Sequence, residues 1–390
     1  MASPVSSSWS VERISRSDGE RMRSVCIIFE MRQPLPLRWY WPKEGYREAD
    51  PYPLYFDVER QRGSFEKRVN RSYLPSNELL LDLIEKQDAK FSLSMTGNFL
   101  ELCAENKELT GSLKSLVDTG NVELIGKPYY ETLACFPEPM WEFMVNVILH
   151  KDALLDMFGY VPATFANTGL IFNEKICKAV KGLGFSRALI HCNGLDSRFG
   201  YLTGDDLIAI PVHKNLSSDI ESRFSDRKWE DYPLKADKYA GWIAKMDAEI
   251  TTIYVDYGSF GYRHDRDTGI FKFLASLPGE FERHGIRMIT PAEYEAVEAE
   301  YSEFYTAVSR YPMDDILGNH MQNLYYCEVT SIEDKVKKCP EWYVDIWRRL
   351  QTIDVLMDMK ETMPWYPWDK TVSNLLLFSD FKRRVIEAMP

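Results

Sequence analysis

The sequence predicts an α/β protein, a parallel β/α barrel followed by a C-terminal helical bundle. Three observations carry that expectation. From Val25 onward, short β-rich runs alternate with longer segments whose apolar residues recur at helical spacing. Glycines stand where helices must end before strands begin. Beyond Pro291 the strand signals fade while helical spacing persists. Repeated strand–helix–strand order demands right-handed crossovers and therefore parallel strands. Seven or eight such units fit a closed barrel better than an open sheet.

Residues 1–23 are rich in Ser, Arg and Glu, lack the apolar stretch of a signal peptide, and read as a disordered leader. Met22 is an alternative start, because the first strand pattern follows at once. The barrel is expected over 24–290, with strands at 25–30, 91–95, 122–125, 164–167, 188–191, 207–212, 252–256 and 286–289. Leu79, Leu80, Leu83 and Ile84 mark a helix over 74–85; Phe143, Val147, Leu154 and Leu155 mark another over 141–157. Gly120 suits the left-handed turn that ends a helix before the strand at 122, and the Gly182–Gly184 pair serves the strand at 188. Residues 291–390 form the helical bundle, with helices expected over 321–337 and 342–360. Trp347 and Leu350, at helical spacing, read as bundle core.

Composition narrows the function classes. The chain has 390 residues, 45% of them hydrophobic, and a formal net charge of −12. Nucleic acid and anionic membranes require basic patches that this balance argues against, and no apolar run approaches the roughly 18 residues of a membrane span. The seven cysteines are scattered without ligand spacing, so no metal or cofactor is expected. They read as reduced thiols of a cytoplasmic protein. His191 and Cys192 are neighbours, but successive strand residues point to opposite faces, which argues against a shared ligand role.

In parallel barrels the chemistry sits at the C-terminal ends of strands. Here those ends carry Arg32-Gln33-Pro34, Thr96-Gly97-Asn98, Gly126-Lys127-Pro128-Tyr129-Tyr130-Glu131, Asn167-Thr168-Gly169, His213 and Asp256-Tyr257-Gly258-Ser259-Phe260-Gly261. These segments, with Tyr73-Leu74-Pro75-Ser76-Asn77-Glu78, Val122-Glu123-Leu124-Ile125-Gly126, Leu317-Gly318-Asn319-His320-Met321-Gln322 and Ile346-Trp347-Arg348-Arg349-Leu350, resemble the α-amylase-like branch of glycoside hydrolase family 57. The resemblance runs in order from about Val25 to the C-terminus. It implies an incomplete seven-stranded barrel, a helical bundle roofing the site, and retaining chemistry on α-glucans.

The departures fall on the reactive positions. The resemblance puts a histidine where Arg32 stands, before Gln33 and Pro34, and the nucleophilic glutamate where Gly169 stands. It implies that Asp256 is the acid/base aspartate, with Gly258 in place of a glutamate two residues on. Ala166 stands for an arginine, Lys127 and Glu131 for a glutamate and a histidine, and His320 for a glutamate. Retaining hydrolysis needs two carboxyl groups about 5–5.5 Å apart, and inversion needs a pair roughly 6.5–9.5 Å apart. Gly169 cannot attack; Glu131 and Asp265 are the replacement carboxylates nameable from sequence.

The leading expectation is a catalytically degenerate family 57-type protein of α-glucan metabolism that binds a glucan or small sugar, phosphorylated sugars included. Its expected binding residues are Arg32, Gln33, Trp39, Trp41, Lys127, Glu131, His320 and Trp365. The aromatic stretches at 39–56 and 364–368 serve either as sugar platforms or as packing. An active hydrolase or transglycosylase with relocated carboxylates, and a regulatory or assembly partner of carbohydrate enzymes, are the alternatives. Arg32, Lys127 and Arg263 predict a site mouth less acidic than the surface. Oligomeric state is left open.

Overall fold

The computed structural model describes residues 23–40, 51–191, 196–295, 313–360 and 370–389. Among the described residues there are nine strands: β1 (Arg23–Met31), β2 (Phe91–Met95), β3 (Val122–Ile125), β4 (Thr164–Ala166), β5 (Arg187–His191), β6 (Tyr201–Leu202), β7 (Ile208–Val212), β8 (Ile250–Asp256) and β9 (Ile286–Met288). Seven of them run parallel in the order β3-β2-β1-β8-β7-β5-β4. β9 adds beside the start of β1, and the two-residue β6 pairs antiparallel with β7. Arg23, assigned to the leader from sequence, opens β1, and the rest of that leader lies outside the described residues. β6 was not foreseen: two residues are too short to show a period.

The barrel is nearly closed. At the seam, Gly126 just beyond β3 bridges Phe165 in β4, with Gly126 N donating to Thr164 O (2.8 Å) and Ala166 N to Gly126 O (2.8 Å). A side chain at Gly126 would meet the Phe185 ring at 2.5 Å, so glycine is what lets the two edges approach.

β1 sits mid-sheet, between β2 and β8, and its almost unbroken apolar run follows from burial on both faces. Val25, Ile27, Phe29 and Met31 pack outward against the surrounding helices, while Cys26 and Ile28 join Ile125, Ala166, Leu189, Ile210 and Tyr254 inside the barrel. The helix expected over 74–85 spans Leu74–Gln87, and the one expected over 141–157 spans Trp141–Phe158. Gly120 takes φ +77°, the left-handed value its turn requires.

Among the described residues no strand follows β9, and the chain continues as helices. The helix expected over 321–337 is two, His320–Thr330 and Glu333–Val336; that expected over 342–360 is Glu341–Leu350 and Ile353–Asp358. The second break has a cause: Thr352 leaves the helix to bridge Thr132, and Ile353 N donates to Glu131 O (3.0 Å). Trp347 is 1% exposed and donates its indole N–H to Val329 O (2.7 Å), so it is bundle core. Arg349 ties the helices to the barrel through Glu101 (2.6 Å) and Asn98 (2.7 Å). Asn319 and Gln322 cap their helix reciprocally, which accounts structurally for the Leu317–Gln322 motif. No described helix is long and apolar enough to cross a membrane.

Candidate functional site

Strand alternation decides which side chains reach the barrel mouth. On β1 the inward series Cys26, Ile28 continues to Glu30 and then Arg32; beyond β3 it runs from Ile125 to Lys127; on β8 it runs from Tyr254 to Asp256. These positions therefore converge above the apolar interior.

An inner charged layer forms there. Lys127, with 1% of its side chain exposed, places Nζ 3.2 Å from Glu30 Oε1 and 3.1 Å from Glu131 Oε1. Arg32 Nε lies 2.8 Å from Glu131 Oε2, and its Nη2 lies 2.6 Å from Asp354 Oδ1 on the helical region. Tyr254 donates its hydroxyl to Glu30 (2.9 Å). Burial opposes ionisation of Glu131, but Lys127 and Arg32 outweigh it and hold the carboxyl at about 2. Burial pushes Asp354 up against the pull of Arg32. Beneath this layer His150 receives Lys127 N–H on Nδ1 (3.3 Å) and sets Nε2 2.7 Å from Met95 O. Burial and the nearby Lys127 charge hold this imidazole neutral, at about 4.

Gly169 lies in the turn after β4. Asn167 shapes that turn, accepting from Thr168 N (2.9 Å) and donating to Ile171 O (2.9 Å). Gly169 has φ +60°, and Leu170 follows at φ +55° with its side chain buried in the barrel interior. The space bounded by Gly169, Leu170, Glu30, Arg32, Glu131 and Tyr254 is about 10 Å³. That is room for roughly one water. The corner is filled by the inner charged layer.

Asp256 faces a second, larger cleft of about 160 Å³, lined also by Glu30, Arg32, Arg68, Glu221 and Arg263. Its carboxylate accepts a short bond from Gly258 N (2.8 Å) and stands 3.8 Å from Arg68 Nη1 and 3.5 Å from Arg263 Nη2. Arg263 Nη1 is 3.9 Å from Glu221 Oε1. Three guanidinium groups face three carboxylates, so this mouth is charge-balanced on a protein of net charge −12. Among the described residues no group of three His, Cys, Asp or Glu could hold a metal ion.

Of the residues expected at the site, Arg32, Lys127, Glu131, Gly169 and Asp256 are brought together or to adjoining cavities. Gln33 is not: it is 2% exposed, and its amide donates to Ser64 Oγ (2.8 Å) and Gln61 O (3.3 Å), away from both cavities. His320 lies exposed at the start of its helix, and Trp39 is 57% exposed on the surface. Trp41 and Trp365 lie outside the described residues. Tyr55 and Phe56 are buried against the C-terminal helices, so this part of the aromatic stretch is packing. Asp265 pairs with Arg71 and does not line the cleft.

Sequence reasoning missed Glu30, Arg68, Glu221 and Asp354. Inward parity on β1 would have flagged Glu30. The Asp57 cap and the Lys67-Arg68 end mark the helix Val58–Arg68 that delivers Arg68.

Comparison with known proteins agrees with this architecture. Residues 26–308 match the model of glycosyl hydrolase family 57. A curated relative from Methanocaldococcus jannaschii, provisionally named an alpha-amylase, is 35% identical over 332 residues, covering 80% of this chain and 70% of its own. A family 57 branching enzyme from Thermococcus kodakaraensis superposes with a TM-score of 0.68 at 10% identity, over 93% of this chain and 90% of that one. The 4-alpha-glucanotransferase of Thermococcus litoralis gives a TM-score of 0.56 at 18% identity; it covers 84% of this chain, which spans 49% of that enzyme. Sequence match and barrel geometry lead to one conclusion: the chain belongs to glycosyl hydrolase family 57.

Proposed function

We propose that this protein is a family 57 barrel of α-glucan metabolism that binds carbohydrate without hydrolysing it. One observation carries the reading. The position that the family resemblance assigns to the nucleophile is a left-handed glycine beside about 10 Å³ of space, closed by the ion-paired Glu30, Arg32 and Glu131 together with Leu170 and Ile353. A retaining reaction needs a carboxylate there to attack the anomeric carbon. Asp256 alone supplies one proton-transfer group and no nucleophile. The larger cleft over Asp256 offers carboxylates and guanidinium groups that hydrogen-bond sugar hydroxyls.

The test is an assay of purified protein on amylose, soluble starch and maltooligosaccharides, run beside calorimetric titration with the same sugars. Binding without release of reducing ends is expected. Retaining turnover abolished by Asp256→Asn would overturn the proposal. A second reading is favoured by Glu221, which lines the cleft with Asp256 and approaches the same Arg263: the two carboxylates act as a relocated inverting pair. Inverting turnover lost in both Asp256→Asn and Glu221→Gln would establish it.

A further inference from the structure

We infer that the Asp256 cleft takes a single acidic monosaccharide, a sugar ring bearing one phosphate ester or carboxylate. The anionic group lies between Arg68 and Arg263, and the ring hydroxyls lie on the carboxylate side of the cleft. The inference rests on the carbohydrate-binding reading above and narrows it to a ligand class.

Size comes first. A cavity of roughly 150 Å³ seats one benzene ring, and this cleft measures about 160 Å³. It accommodates one six-membered ring, so only one unit of a longer glucan would sit inside it.

Charge and commitment decide the rest. The six charged groups of the lining sum to zero, but they divide into two tiers. Arg32 and Glu30 belong to the inner layer, at 2.6–3.2 Å from Asp354, Glu131, Lys127 and Tyr254. The outer tier is held loosely. Arg68 and Arg263 stand 3.8 and 3.5 Å from Asp256, whose short bond goes instead to Gly258 N. Arg263 Nη1 donates to Glu221 O at 3.3 Å but stands 3.9 Å from the Glu221 carboxylate, so its ion pairs are the long ones. A guanidinium carries five N–H donors. Arg68 donates to Arg32 O at 3.2 Å, has the buried Tyr73 hydroxyl beside it, and lies with its Cζ 4.9 Å from the centre of the Tyr262 ring.

Two planar cations with donors at long range are suited to a bidentate oxyanion, phosphate or carboxylate alike. Asp256 beside them would repel a bare anion, yet it accepts hydrogen bonds from hydroxyls. A ligand with both an anionic group and a polyol ring satisfies the two halves together; inorganic phosphate or neutral glucose satisfies one.

The experiment is calorimetric titration of the full chain with glucose 6-phosphate, glucose 1-phosphate, glucuronate, glucose, maltotriose and inorganic phosphate, at low and high salt. An acidic sugar should bind at least about tenfold more tightly than glucose and than phosphate, the gain expected of one added charge-assisted contact. Its affinity should fall with salt. Arg263 is 45% exposed in its side chain, so Arg263→Gln should preserve the thermal melt while weakening the acidic sugar about tenfold and glucose by clearly less, so that the preference for the acidic sugar shrinks. Which acidic sugar binds separates phosphate from carboxylate. Glucose or maltotriose binding as tightly as every acidic sugar overturns the inference and leaves the carbohydrate reading standing. Phosphate binding as tightly as the sugar phosphates also overturns it. No sugar binding at all removes both.

Discussion

Placing a carboxylate at Gly169, where the family resemblance would put the nucleophile, is the sharpest challenge to the proposed degenerate reading, and the structure predicts that Gly169→Glu is destabilising. Gly169 holds φ +60° and ψ +17°. A residue with a Cβ costs about 1–2 kcal/mol in that left-handed region. The neighbouring space is about 10 Å³, so the new side chain must displace the groups that fill it. Three of those groups, Glu30, Arg32 and Glu131, are charged. Glu30, Glu131 and Asp354 already share Lys127 and Arg32, and a fourth carboxylate takes this cluster from −1 to −2. Each added like-charge pair at about 5 Å costs roughly 3 kcal/mol at an effective dielectric of 20, a cost the two cations offset only in part. The expected destabilisation is about 3–5 kcal/mol, a large share of the roughly 5–15 kcal/mol that holds a folded protein together. Urea denaturation at neutral pH measures it, with Gly169→Ala as the control that isolates the backbone cost of about 1–2 kcal/mol. On the proposed reading, neither the parent nor the variant hydrolyses α-glucans. A Gly169→Glu protein within about 1 kcal/mol of its parent, or one that is folded and hydrolytic, would refute the argument.

Two further perturbations probe the same layer. Lys127→Met leaves Glu30 and Glu131 without their shared buried cation and should cost about 3–5 kcal/mol in urea denaturation; a loss below about 1 kcal/mol, typical of an exposed pair, would mean the carboxylates are held by other groups. His150 gives a pH signature. Its folded value, about 4, lies below the ordinary value of about 6.5, so as pH falls through that window the unfolded chain takes up a proton the folded one refuses. Stability therefore declines from about pH 6.5 to about pH 4, by up to about 1.4 kcal/mol per unit. His150→Gln should flatten this slope, and an unchanged slope would sink the assignment. Below about pH 4.3 a separate loss begins, because Glu131 is depressed and its stabilisation disappears as pH falls toward about 2.

The sheet was legible because burial on both faces writes most of its parallel strands as short apolar runs, and every strand of the seven-stranded path falls on an expected strand, even β2, where serines alternate with Phe91, Leu93 and Met95. What stayed hidden was set by pairings between distant segments. Nothing local says that Thr352 must leave a helix to meet Thr132, yet that break brings Asp354 to Arg32. Arg68 was hidden by a weakly apolar helix whose caps alone announce it. At the site, motif position identified Arg32, Lys127, Glu131, Gly169 and Asp256 as neighbours. It could not divide them between a filled corner and an open cleft, since that depends on which ion pairs close at 2.6–3.2 Å and which stand apart at 3.5–3.9 Å. Gln33 illustrates the converse: the right motif, with its amide turned to a helix.

The position of β1 at the centre of the sheet has a kinetic consequence. β1, β2 and β3 follow one another in sequence and pair as neighbours, and so do β4, β5 and β7 apart from the two-residue β6 between the last two. Each trio can assemble from nearby chain. The halves join where Cys26 on β1 lies opposite Thr252 on β8, and β7 meets β8 through a single register pair, Val212 with Thr252. During synthesis β1 must therefore wait for β8 to emerge before its second edge is covered. Contacts this distant in sequence slow folding and leave strand edges exposed meanwhile. β8, which presents Asp256, is the same strand that ends that wait.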